Sequence, residues 1–114
     1  MQQVPIFSLT RQAAGAVPAN RFVGLDDNVC AAGAAAWGVS DFEASAAGKL
    51  LNVKVLGSSK VQVGAAVTPG QLVKSDAAGR AIPQGGAGAV LGRVIVGSAA
   101  VDGVAEILLL PSAA

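Results

Sequence analysis

The sequence predicts an all-β fold: a small β-sandwich or barrel of short antiparallel strands. Three observations lead to this prediction. Short apolar stretches recur about every ten residues and are separated by Gly, Pro, Asn and Asp, which form turns. The clearest stretch, residues 50–56, alternates apolar and polar side chains as a half-buried strand does. The Ala-rich segment 31–37 is interrupted by Gly33 and develops no apolar stripe, so no helix is expected.

The N-terminal strip, residues 2–12, is the first element. It mixes polar and apolar residues and contains Pro5, which lacks a backbone donor, so it is expected as an edge strand or an extended arm. We therefore divide the chain into an arm or edge strand at 1–12 and a single β domain at 13–114. One domain agrees with the length of 114 residues.

The remaining strands follow from apolar stretches bounded by turn residues. In the first half, a strand at 21–25 and a turn at 26–28 lead through Ala-rich residues into a strand around 37–40. Residues 50–56 and 60–63 predict a hairpin with its turn at 57–59. Later strands are expected at 71–75, 80–82, 89–96 (with Gly92 as a candidate bulge) and 104–110.

The two halves of the chain resemble each other. Residues 16–23 align with 66–73, and residues 37–39 align with 91–94 at a larger offset of 54. We place the extra residues of the second half in the Gly-rich loop 84–88. The pattern predicts a pseudo-repeat of similar halves, about 16–56 and 66–110.

Composition and charge exclude several functions. The chain has 15 Gly and 24 Ala, no His, one Cys and a formal net charge of +1. The charges form no basic cluster, so no nucleic-acid partner is expected. No apolar stretch approaches the roughly 18 residues of a membrane span, and the N-terminus does not read as a signal peptide. Cys30 is expected as a small buried apolar residue.

The polar groups that could carry chemistry have simpler structural interpretations. Asp26 and Asp27 fit a turn, and Asp41 with Glu43 fits a solvated edge better than a cation site. The segment 58–60 (SSK) has a lysine but no expected oxyanion donor, and 85–88 (GGAG) lacks the ending of a phosphate loop. We therefore predict no catalytic residue, no cofactor and no metal site. Trp37 is expected as a core residue, with an interface anchor as the alternative.

A family resemblance appears at residues 66–81, AVTPGQLVKSDAAGRA. This string, with Leu91-Gly92-Arg93-Val94 and the closing strand 103–110, resembles the decoration or cement proteins of tailed-phage capsids. The likeness covers about residues 13–110 and rests on turn glycines and β-branched strands.

The resemblance implies a structural virion protein, located on the capsid exterior and made in the bacterial host cytoplasm. It implies that the partners are the major capsid protein and other copies of the chain, with a homotrimer favoured and a dimer as the alternative. We expect strip 2–12 to add a strand to a neighbour's sheet edge. The expected contact residues, which include Trp37 as an anchor, are Val4, Ile6, Phe7, Leu9, Arg11 and Trp37.

Two other functions stay open at this point. One is a different phage structural or sugar-binding β module, of tail, baseplate or β-clip type, although four aromatic residues are few for a carbohydrate site. The other is a small enzyme, for which the residues give little support.

Overall fold

Eight β-strands and no helix make up the part of the chain that the computed structural model describes, residues 5–110, with side chains described from Ser8 onward. The predicted all-β fold is confirmed. The strands are β1 (Pro5–Gln12), β2 (Phe22–Gly24), β3 (Ala36–Ser40), β4 (Leu50–Gln62), β5 (Leu72–Ser75), β6 (Ala81–Pro83), β7 (Gly92–Val96) and β8 (Val104–Leu109).

The strands form one antiparallel, nearly closed sheet in the order β2-β3-β4-β8-β7-β5-β6, with β1 paired to β4. In the second half the sheet curls until Val63, just after β4, bridges Ala81 in β6. The strip that was predicted as an arm or edge strand pairs, from Pro5 to Gln12, with β4 of the same chain.

The longest strand, β4, belongs to both halves. Its first part pairs with β1 and β3, and its second part pairs with β8. The predicted hairpin with a turn at 57–59 is therefore wrong. Ser58 and Ser59 are buried and pair with Leu108 and Ile107, so the ladder with β8 keeps this segment extended. Gly57, at φ 96°, lies instead at a register shift against β1.

Matching backbone bonds show that the halves repeat. Val17 exchanges two hydrogen bonds with Ala44, and Val67 does the same with Ser98. Three other equivalent pairings follow the same shifts of 50 positions on one strand and 54 on its partner. Val23 pairs with Gly38 as Val73 pairs with Gly92. Leu9 pairs with Val53 as Ser59 pairs with Ile107, and Gln12 pairs with Leu50 as Gln62 pairs with Val104.

The extra residues of the second half do not lie in the loop 84–88, where we placed them. Val23 bridges Val29, and the equivalent Val73 pairs with Pro83, so the offset already changes before that loop. The additional residues belong to the β5–β6 hairpin, whose tip is longer than the turn at 24–28.

A close backbone approach explains two of the glycines. A Cβ on Gly38 would collide with the Lys54 carbonyl, and one on the equivalent Gly92 would lie 2.8 Å from the Leu108 carbonyl oxygen. The expected bulge at Gly92 is wrong, because the irregularity in β7 lies between Val94 and Val96. Gly92 serves close packing instead.

Two apolar clusters form the core. The smaller fills the first half and contains Ala13, Val17, Val23, Ala44, Leu51 and Val53. The larger fills the second half, but it also includes Phe22, Cys30 and Val39 from the first half. The second half therefore packs against one face of the first half and buries it.

Candidate functional site

The predicted contact residues fall into three groups. Val4 lies outside the described residues, and for Ile6 and Phe7 the structure gives only the backbone, in β1. Leu9 is half-buried in β1 opposite Val53. Arg11 and Trp37, which are 26 positions apart in the sequence, lie together.

Arg11 joins β1 to the turn that follows β2. Its Nε donates to Asp27 Oδ1 at 2.9 Å, and its Nη2 donates to Asp27 Oδ2 at 3.0 Å, which is a bidentate pair. The hydrogen bond and the charge of Asp27 both raise the pKa of Arg11, which is therefore charged at every pH of interest. Asp27 adopts a φ of 63°, a conformation that Asp tolerates better than most residues.

The guanidinium of Arg11 also lies over Trp37, with its Cζ 5.0 Å from the ring centroid. This distance is within the range of a cation–π interaction. We call Arg11, Asp27 and Trp37 the Arg11 cluster. It ties together the end of β1, the 24–28 turn and β3.

The indole of Trp37 keeps one polar group without a partner. Its Nε1 is inaccessible to solvent and has no hydrogen-bond partner among the described residues. The ring lines a cavity of about 10 Å³ with Phe22, Val55, Leu91 and Leu109, together with Ala36, Gly38 and Leu110. This volume is at the lower limit for one water molecule, so the cavity is not a ligand pocket.

Sequence reasoning missed Asp27 as a member of the Arg11 cluster. Asp27 was interpreted as a turn residue, which it is, but its second role as the partner of Arg11 has no local signal. The repeat does mark the cluster as unusual, because Arg11 and Trp37 occupy the positions that the buried Val61 and Leu91 hold in the second half.

The groups considered for catalysis or metal binding have structural partners or are solvated. Asp26 Oδ1 accepts the backbone N–H of Asn28, as expected for a turn. Asp41 and Glu43 are exposed and follow β3. Between residues 5 and 110 there is no group of three His, Cys, Asp or Glu side chains that could hold a metal ion.

The serine pair and the Gly-rich loop fit the same interpretation. Ser59 lies within β4 and donates its hydroxyl to the Lys60 carbonyl at 2.9 Å. In the loop 84–88, the Gln84 side chain accepts from the Gly86 N–H and donates to the Gly88 carbonyl, so two of the loop's backbone groups bond within the loop.

Three ionisable side chains of the described residues are buried: Cys30, Lys54 and Glu106, which is 7% exposed. Cys30 is fully buried, as expected, and burial raises the pKa of its thiol. Lys54 is 1% exposed, with Nζ 3.7 Å from Asp41 Oδ1. Burial lowers the pKa of Lys54, and the nearby Asp41 carboxylate opposes this shift.

A second surface was not anticipated from the sequence. Ile95, Val96, Val104 and Leu108 are large apolar side chains on β7 and β8 that remain exposed. Arg93, beside Leu108 in the pairing, is also exposed. We call this surface the β7–β8 face. Exposed large apolar side chains on two neighbouring strands are a feature of interaction surfaces, although Glu106 lies between Val104 and Leu108 on β8.

The fold defines a class, a small all-β module, and the Arg11 cluster and the β7–β8 face are its two distinctive surfaces. The described residues include no helix long and apolar enough to cross a membrane.

Comparison with known proteins identifies the family. The phage cement protein family matches residues 1–109, nearly the whole chain, and the protein therefore belongs to that family. It is a phage structural protein associated with the capsid. The resemblance indicated by residues 66–81 is thereby confirmed.

The fold also has a counterpart in a solved structure. The chain is similar to the head fiber gp8.5 N base of bacteriophage phi29, with a TM-score of 0.73 and 19% sequence identity. The similarity covers 95% of this chain and 97% of that chain. At this identity it demonstrates a shared fold. No curated protein matches the chain.

Proposed function

We propose that this protein binds the outer surface of a phage capsid and stabilises the shell by cementing neighbouring major capsid proteins. The observation that carries the proposal is the match of the phage cement protein family to residues 1–109. The contact-forming character of the surface supports it. The protein would be made in the bacterial host cytoplasm and would act as a homo-oligomer, with a trimer favoured.

We assign the shell contact to β1 and the Arg11 cluster. Among the described residues, β1 pairs with one strand only, so its second edge carries backbone donors and acceptors that another strand can use. The apolar residues Val4, Ile6, Phe7 and Leu9 would then give specificity, with Arg11 near the end of the strip and Trp37 beside it on β3.

Side-chain chemistry supports the same assignment. Trp and Arg are the residue types that most often dominate binding energy in protein interfaces. Here they are already stacked and held by Asp27, so binding a shell would immobilise few further rotamers. A pre-ordered contact of this kind suits a protein that must bind many equivalent sites.

The mechanism is stabilisation by mass action. A protein that binds the assembled shell and not its separated subunits stabilises the shell at each site, by about 2.7 kcal/mol when its free concentration is 100 times Kd. Many copies, each with a modest contact, then add up to a large resistance to internal pressure. No reaction is needed at any step.

The direct test mixes the purified protein with shells that lack it. We expect ordered density on the shell exterior by electron microscopy, and decorated shells that resist heating better than bare shells. Protein that stays in the supernatant at micromolar concentration would contradict the proposal. Density on the tail or baseplate alone would replace it with a different structural role.

A further inference from the structure

We propose that the β7–β8 face binds a second copy of this chain, head to tail, through the side of the first half that carries Leu25. This contact rests on the homo-oligomer of the proposed function and identifies the two surfaces that join its copies, and it does not depend on capsid binding. The pseudo-repeat gives the two halves equivalent faces. The face of the first half is covered by the second half, whereas the equivalent face of the second half is open.

The covered face belongs to the first half. Phe22, Val39 and Lys54 lie on one side of β2, β3 and β4, and their exposures are 0%, 0% and 1%. Phe22 and Val39 share a core cluster with second-half residues such as Val73. One β unit of this chain therefore covers the outer face of another.

The equivalent face of the second half is open. Leu72, Arg93 and Leu108 occupy the matching positions on β5, β7 and β8. Leu72 is half-buried, Arg93 is exposed and Leu108 is 44% exposed. No described part of the chain covers this face as the second half covers the first.

The choice of residues is the reverse of what solvent exposure would favour. In the covered first half, Asp41 and Lys54 form an ion pair. At the matching exposed positions, the second half has Ile95 and Leu108. Lys54 is the buried member of that pair, whereas Asp41 is 41% exposed, so the clear contrast is at position 108. A leucine that is exposed where the covered half buries a charged residue indicates that the β7–β8 face is itself buried in an assembly.

The chain also indicates which surface does the covering. The tip of the β5–β6 hairpin contacts the first half: Phe22 N–H donates to the Gly79 carbonyl at 2.7 Å, and Arg21 Nη1 donates to the Ala78 carbonyl at 2.9 Å. The equivalent tip in the first half is the 24–28 turn. Its Leu25 is 53% exposed.

An open groove of about 280 Å³ borders Leu25. It is lined by Gly24, Leu25, Asp26, Ala31, Ala34 and Ala35. Such a groove of small residues can accept the apolar side chains of the β7–β8 face. The exposed Asp26 gives this side a negative charge, which complements the exposed Arg93 on the opposite face.

The two surfaces differ, so the contact is heterologous. Each copy uses the β7–β8 face on one neighbour and the Leu25 side on the other. Contacts of this type generate a closed ring when the rotation closes and a filament when it does not.

The test measures molar mass by light scattering on the full-length protein. Leu108→Lys breaks the β7–β8 face, and Leu25→Lys breaks the other side. We expect the unmodified protein to form multimers and each variant alone to be a monomer. Mixed in equal amounts, the variants keep one intact surface each, so the mixture should form a one-to-one dimer.

The control is Phe42→Lys, which introduces the same charge at a 48% exposed apolar residue. Phe42 follows β3 at the end opposite the 24–28 turn, so this variant should assemble as the unmodified protein does. Circular dichroism confirms that each variant folds. Three results would overturn the proposal: an unmodified protein that is monomeric up to millimolar concentration, variants that assemble normally, or a Leu108→Lys protein that keeps its mass but loses shell binding. The last result would assign this face to the capsid instead.

Discussion

The carboxylate of Asp27 accepts two hydrogen bonds from Arg11, one from Nε and one from Nη2. These residues lie 16 positions apart, one near the end of β1 and the other in the turn after β2. The pair therefore fixes β1 to the body by side chains in addition to its backbone ladder with β4.

Arg11→Ala should loosen β1 without unfolding the chain. The variant loses both hydrogen bonds to Asp27 and the stacking on Trp37, while the β1–β4 ladder stays. We expect faster hydrogen exchange of the amides of residues 8–12 and unchanged exchange in β7 and β8. Arg11→Lys, which keeps the charge but not the bidentate geometry, should give an intermediate rate. Equal protection of β1 in all three proteins would contradict this role.

Trp37→Leu should fold and yet bind shells poorly. The equivalent position of the second half is Leu91, so the fold accepts leucine there, at a cost of roughly 1–2 kcal/mol for the smaller side chain. Loss of an interface anchor of about 2 kcal/mol corresponds to about a 30-fold weaker affinity. Shell occupancy measured by co-sedimentation over a concentration series gives this ratio. Trp37→Phe, which keeps an aromatic ring, is the control and should retain more affinity.

Much of the fold could be predicted from the sequence, because turn residues and alternation are local signals. The similarity of residues 16–23 to 66–73 corresponds to real structural equivalence, as the matching bonds of Val17 and Val67 demonstrate. The segment 57–59 could not be predicted, because Gly-Ser-Ser favours a turn locally, whereas pairing with β8 keeps it extended.

The surfaces were less predictable than the strands. Arg11 and Trp37 could be singled out by residue type, but their meeting with Asp27 depends on how β1 and β3 pack. The β7–β8 face has no clear signal, because the register shift between Val94 and Val96 breaks the alternation. Ile95 and Val96 are consequently both exposed.

The buried Lys54 should make stability depend on pH in a defined direction. Burial lowers its pKa in the folded state, so between that pKa and the ordinary lysine pKa the folded chain holds fewer protons than the unfolded chain. The contribution of Lys54 to the free energy of unfolding therefore becomes more favourable as pH rises through this window. Replacement by Met removes the contribution. Urea titrations from about pH 7 to about pH 10 should show any advantage of Lys54→Met shrinking as pH rises.

Asp41→Asn provides the matched comparison for Lys54. It removes the attraction that opposes the lowered pKa of Lys54, so the stability gain should begin at a lower pH than in the unmodified protein. Because Asp41 is 41% exposed, the loss at neutral pH should be only about 1 kcal/mol or less. A pH profile identical in the unmodified, Lys54→Met and Asp41→Asn proteins would exclude a titrating role for Lys54.

Gly79→Ala should weaken the junction between the halves, and Gly70→Ala separates this effect from backbone strain. Both glycines have positive φ, at 75° and 85°, so alanine costs roughly 1–2 kcal/mol at either position. A Cβ at position 70 meets nothing within 4 Å, whereas at position 79 it would lie 2.7 Å from Val29 Cγ1 and 3.0 Å from the Phe22 carbonyl oxygen. Overpacking at that contact adds about 1–3 kcal/mol, so Gly79→Ala should unfold at distinctly lower urea concentration than Gly70→Ala. Equal midpoints for the two variants would mean that the β5–β6 hairpin does not press on the first half at Gly79.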